Sequence, residues 1–214
     1  MSNLKNRYGE IYRHKAFYVQ VATGILLFSL SLYFNYYTNN YTANHGIASV
    51  HDIILDNIPA KNVEAVFLEG FMVIIALVAA LGLHKPKTIP FILKASALFI
   101  CIRAFFTILT HLAPPLHQSI VNSTNFLEHL LSGSGDDLFF SGHTGYPFLM
   151  ALVFWENKYW RMFFLAAAIF FGGAVLLGHL HYSIDVFSAF FISYGIFQIA
   201  VRLFKKDYKM FLGG

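Results

Sequence analysis

Six stretches of this chain are apolar for about the thickness of a bilayer's hydrocarbon core, and that constrains its fold more than any other feature. A spanning helix needs roughly 20 mostly apolar residues. Ala16–Tyr37, Val63–Leu83, Ile89–Leu112, Trp160–Gly178 and Ser183–Phe204 meet that length. Thr144–Glu156 is shorter, so its helix is expected to begin at or before Ser141. Lipid offers no partner for backbone polar groups, so the spans must be helices. The expected fold is all-α: a six-helix transmembrane bundle forming one polytopic membrane domain over residues 1–214. The first stretch follows a basic leader, but it exceeds the 7–15 apolar residues of about one signal-peptide core. It reads as a retained span. Of 214 residues, 57% are hydrophobic and 12% charged, against about 25% charged in soluble domains. Disorder is excluded by this composition, and a disulfide scaffold by the single cysteine, Cys101.

Lys and Arg favour cytoplasmic segments. With the N-terminus inside, the cytoplasmic side collects Lys5, Arg7, Arg13, Lys15, Lys85, Lys87, Lys158, Arg161, Arg202, Lys205, Lys206 and Lys209. The opposite side has only Lys61, while Lys94 and Arg103 fall within the third span. Both termini are therefore expected in the cytoplasm. Lys94, nearer the cytoplasmic end, is expected to snorkel. The other face carries loops at about Thr38–Asn62 and Ala113–Phe140, with Asp52, Asp56, Glu128, Asp136, Asp137 and eight of the ten histidines. Chemistry is thus expected at the extracytoplasmic face.

Two segments stand out there. Asp137-Leu-Phe-Phe-Ser141-Gly142-His143-Thr144 enters the fourth span, and Gly178-His179-Leu-His181-Tyr182-Ser183-Ile-Asp185 enters the sixth. His181 and Asp185 are four apart and share one helix face. The carboxylate can accept one imidazole proton, fixing the tautomer and leaving the other nitrogen as nucleophile or base. Ser141-Gly142-His143 precedes a helix, whose free N–H groups favour a phosphate. Singly, an interfacial His is an anchor and Ser-Gly an ordinary N-cap. Together they place costly Asp and His residues at one membrane face.

These motifs resemble the lipid phosphatase/phosphotransferase (PAP2-type) superfamily, in which Ser-Gly-His-Thr is followed about 40 residues later by His-Tyr-Ser-Ile-Asp-Val. The resemblance is nearest to the sphingomyelin synthase branch. The run Leu98-Phe-Ile-Cys-Ile-Arg103-Ala-Phe-Phe-Thr107-Ile-Leu-Thr110, followed by Pro114-Pro115, looks like a further motif of that branch. The likeness is strongest over residues 95–195. It implies six helices, an active site near the outer or lumenal leaflet, and a catalytic triad of His143, His181 and Asp185. Two departures matter. The branch's Cys-Gly-Asp aligns with Gly135-Asp136-Asp137, so only Asp137 is retained. The wider superfamily's Ser-Arg pair falls on Ala174 and Val175. A monoester dianion would lack an arginine clamp, which favours phosphodiester transfer.

The resemblance implies that His181 attacks phosphorus while Asp185 holds its ring and His143 protonates the departing diacylglycerol oxygen. A lipid hydroxyl or water then attacks, with His143 as base. An alternative has His181 act only as a base on the acceptor. The expected activity moves phosphocholine or phosphoethanolamine from a glycerophospholipid to ceramide or diacylglycerol. Hydrolysis with water as acceptor, as in a lipid phosphatase or phospholipase C, and a non-catalytic lipid-binding protein or transporter are the competing readings. Ser141, Gly142, Asp137 and Tyr182 are candidate substrate contacts. Glu69 and Arg103 sit at similar depths, at about 1.5 Å rise per residue. They form either a structural ion pair or a phosphate contact through Arg103 oriented by Glu69. The outer aromatics, including Tyr36, Tyr37 and Tyr146, read mainly as an interfacial belt. His179-x-His181 diverges on a helix, so no metal and no cofactor are expected. The partners expected are phospholipids, lipid alcohols and the bilayer, not nucleic acid.

Overall fold

The computed structural model describes residues 15–43, 45, 48–110, 112–119 and 138–213. Helix α1 runs Lys15–Ala43, longer than the apolar stretch that announces it. Helix α2 covers Phe71–His84 and is entered through a π-helical turn, Val66–Gly70. A 3₁₀ turn at Pro86–Thr88 leads into α3, Ile89–Leu109, with Pro90 in its first turn, where a missing N–H costs nothing. Then come α4, Gly142–Val153, α5, Lys158–Leu177, α6, Ser183–Leu203, and α7, Lys205–Leu212. Gly213 ends α7 in the left-handed region, at φ 91°.

Five of these segments are long and apolar enough to cross a membrane: Lys15–Thr42, Val66–His84, Pro86–Leu109, Lys158–Leu177 and Ser183–Leu203. The expected fourth span differs. It is the 12-residue α4, about 18 Å long. Its burial explains how a short helix survives there. Leu149, Met150 and Ala151 are wholly enclosed, because α4 is packed by α5 and α6 with α3 behind. Ser141 caps it by accepting from the Thr144 N–H at 3.4 Å. Gly145 allows the close approach, since a Cβ there would lie 2.8 Å from Ser193 Oγ and 3.1 Å from the Phe99 ring. Small residues at such contacts are how helices approach in lipid.

α1 lies along α3 and turns Ile25, Leu26, Leu30 and Tyr33 outward. The other end of the molecule holds a correction. Lys94 does not snorkel: it is buried and donates to Asp207 Oδ2 at 2.8 Å and to Gln20. Asp207 comes from α7, which folds back so that Tyr208 and Phe211 pack on Phe91.

Candidate active site

His143 stands in the first turn of α4, which aims its ring at the π turn before α2. Its Nε2–H donates to the Phe67 carbonyl oxygen at 3.0 Å. The ring stacks on Phe67, with centroids 3.8 Å apart, and tilts against Phe71 at 4.2 Å. A π turn widens the backbone locally and is frequent at functional sites. Here it coincides with the carbonyl that holds the histidine. With Nε2 engaged as donor, Nδ1 is the nitrogen left for proton exchange.

The second motif meets the first directly. The Ser141 N–H donates to the Asp185 carbonyl oxygen at 3.1 Å, joining the entry of α4 to that of α6. His181 Nδ1 lies 3.5 Å from Asp185 Oδ2, and both side chains are buried. That separation is longer than a good hydrogen bond, as is common for catalytic pairs before substrate binds. Asp185 Oδ2 is fixed by the Tyr182 N–H at 3.0 Å, the N-terminal cap of α6. No hydrogen bond reaches His181 Nε2 among the described residues. His181 is also close enough to His143 to act on its charge, as is Arg103.

Arg103, on α3, is 8% exposed. Its Nε–H donates to the Phe140 carbonyl oxygen at 2.9 Å. Gly142 lies against it: a Cβ there would sit 3.3 Å from Arg103 Nε. Arg103, Gly142 and His143 line a pocket that is partly open to the surroundings. Phe28 and Leu32 of α1, with Ile75 and Ile100, form much of the apolar wall.

The remaining expected contacts fall elsewhere. Ser141 Oγ accepts from Thr144 Oγ1 at 3.2 Å as well as from the Thr144 N–H, so it acts as a helix cap. Tyr182 is enclosed, and its hydroxyl donates to the Ala113 carbonyl at 2.9 Å while accepting from the Val50 N–H at 3.1 Å. It ties two loops to α6 rather than lining the pocket. Glu69 is exposed on the π turn, and no ion pair joins it to Arg103 among the described residues. Glu69 is exposed while Arg103 is buried, a difference in surroundings that sequence spacing cannot reveal. Asp137 lies outside the described residues.

Three contributors were missed. Phe67 supplies both a carbonyl and a stacking face, and apolar character alone does not announce either role. Asp52 accepts from the Ser183 N–H at 2.7 Å and from the Ile54 and Leu55 N–H groups at 2.9 and 3.2 Å. It thereby places a carboxylate at the N-terminus of α6. His179 sets its ring nitrogens 3.1 Å from the carbonyls of Leu116 and Ile58. Among the described residues, no three His, Cys, Asp or Glu side chains cluster as metal ligands would.

Two histidines, one backed by a buried aspartate and the other beside an arginine, make a constellation suited to phosphoryl chemistry. Residues 135–202 match the family model described as PAP2 superfamily C-terminal. The match takes in His143, His181 and Asp185. It supports membership of the PAP2-type superfamily, whose members are in general lipid phosphatases and phosphotransferases, and with it an enzymatic role. The sphingomyelin synthase branch is finer than this PAP2 match resolves. No curated protein and no solved structure gives a significant match.

Proposed function

We propose that this chain is a phospholipid head-group phosphotransferase. It moves phosphocholine or phosphoethanolamine from a glycerophospholipid to a lipid hydroxyl. The chain crosses the membrane six times, with α4 as the shielded fourth crossing, both termini cytoplasmic, and the site toward the extracytoplasmic side. The donor diester sits against Arg103, and His181 Nε2 attacks phosphorus while Asp185 holds the ring. The bond to the diacylglycerol oxygen breaks, and that oxygen takes a proton from Nδ1 of the His143 imidazolium. In the second half, Nδ1 takes the proton of the acceptor hydroxyl. The acceptor oxygen then attacks phosphorus, and the phosphorus–nitrogen bond breaks to restore His181.

The observation that carries this reading is at Ala174 and Val175. A superfamily phosphatase presents Ser-Arg there, whereas Val175 is buried in an apolar cluster with Phe67, Leu68, Leu180 and Val186. Arg103 is then the one arginine among the described residues that lines the pocket. A single arginine suits a monoanionic diester better than a dianionic monoester. Thin-layer chromatography of purified protein with labelled phosphatidylcholine and ceramide or diacylglycerol tests this. Transfer from the diester should outpace phosphate release from phosphatidate at equal surface concentration. Arg103→Lys should slow it, because lysine lacks the planar fork. Faster phosphate release from phosphatidate would instead establish a lipid phosphatase.

A further inference from the structure

One face of α1 is polar although it is buried. Ser31, Asn35, Thr38 and Thr42 recur at spacings of four, three and four, which places them on one side of the helix. The hydroxyls are satisfied within the helix. Ser31 donates to the Phe28 carbonyl at 2.7 Å, Thr38 to that of Asn35 at 2.9 Å, and Thr42 to those of Thr38 and Asn39 at 3.1 Å. The Asn35 carboxamide is different. It is 8% exposed, makes no side-chain hydrogen bond among the described residues, and lines the same pocket as Arg103 and His143. Leaving such a group without a partner in an apolar medium is costly, so an occupant of the pocket is the natural partner.

The chemistry of that occupant can be narrowed. A carboxamide offers donors through its NH₂ and an acceptor through its oxygen. A phosphatidylcholine diester has no hydrogen-bond donor and would leave Asn35 Oδ1 unanswered, and phosphatidylethanolamine carries its donors only on the head-group ammonium, away from the chains that the apolar wall would hold. A lipid alcohol answers both ends, with its hydroxyl as donor and a nearby carbonyl as acceptor. The apolar wall of Phe28, Leu32, Ile75 and Ile100 suits its chains. We propose that Asn35 is a substrate-contact residue for the acceptor. In this role it binds a lipid alcohol that carries a carbonyl close to its hydroxyl, either an N-acyl amino alcohol or a diacylglycerol. This rests on the transferase reading above, and it assigns α1, which lies outside the matched segment, a part in acceptor selection.

The test separates binding from turnover. Fluorescent short-chain ceramide, diacylglycerol and phosphatidylcholine are titrated onto the inactive His181→Ala protein in nanodiscs, with and without Asn35→Leu. The loss of one neutral hydrogen bond should weaken at least one alcohol about three- to tenfold and leave phosphatidylcholine unchanged. Whichever alcohol responds identifies the linkage. Equal weakening of phosphatidylcholine, or no weakening of either alcohol, overturns the proposal. Asn35→Thr, a smaller change with its own hydroxyl, repeats the comparison if Asn35→Leu lowers the melting temperature. In otherwise wild-type protein, Asn35→Leu should raise KM for the acceptor and not for the donor. If the wild type transfers no phosphoalcohol while alcohol binding still depends on Asn35, the transferase reading fails and the acceptor role falls with it, leaving Asn35 as a lipid-alcohol contact alone.

Discussion

His143 and His181 are both buried, yet each is held differently, and the difference fits the separate roles proposed for them. His143 gives Nε2–H to a backbone carbonyl and lies between aromatic rings. His181 keeps Nε2 available and has a carboxylate behind it. Replacing His143 or His181 by Ala, or Asp185 by Asn, should each lower turnover by orders of magnitude. The His143→Ala/His181→Ala pair should be little worse than the worse single, because such units are strongly non-additive. Steady-state assays with melting curves separate this from misfolding. A second residue-scale expectation concerns Asp52. Burial alone would raise its carboxyl pKa, but donors from Ser183, Ile54 and Leu55 outweigh this and hold it below the usual carboxylate value. Its carboxylate therefore stabilises the fold above about pH 4, and that contribution is lost as pH falls through the lower native pKa. Asp52→Asn should lower the melting temperature at neutral pH by roughly 2–4 °C. It should also flatten the decline in stability below about pH 5. An unchanged pH profile would remove Asp52 from this role.

At the scale of elements, α7 shows why burial and charge must be read together. Its Asp207 enters a buried site only because Lys94 of α3 is there to meet it. Breaking such a pair from one side leaves an uncompensated charge and costs about 3–5 kcal/mol, whereas replacing both partners by apolar residues is often neutral. Lys94→Met should therefore destabilise strongly, and Lys94→Met/Asp207→Leu should recover most of the loss in thermal unfolding. Equal damage from the single and the double would mean that packing, not charge, fixes α7. The short α4 makes a related point. It is only 12 residues long and is enclosed by protein, so its place in the bundle rests on packing and not on an apolar length.

For the whole molecule, the arrangement of charge leads to a topology that labelling can test. In a Cys101→Ser background, a cysteine at the exposed Leu116 should react with an impermeant maleimide in intact cells. One at Lys87 should react only after permeabilisation. The reverse pattern would move the site to the cytoplasm. The apolar runs marked the five helices long and apolar enough to cross a membrane to within a few residues at most ends, because lipid admits only segments that satisfy their own backbone and such segments must be long and apolar. The short spacing does leave His181 near Asp185, but not on a shared helix face: His181 precedes the Tyr182 N-cap, and the capping turn in which Asp185 accepts from the Tyr182 N–H brings the two together. What the sequence by itself determined was therefore what one helix and its solvent decide. Contacts between helices were decided only by the tertiary structure. Tyr182's ties to Val50 and Ala113 depend on how the loops fold over α6. His143 on the Phe67 carbonyl, the absence of an ion pair between Glu69 and Arg103 among the described residues, and Lys94 paired with Asp207 depend on how one helix is rotated against another. That rotation follows from the packing of many side chains at once, and no local spacing records it.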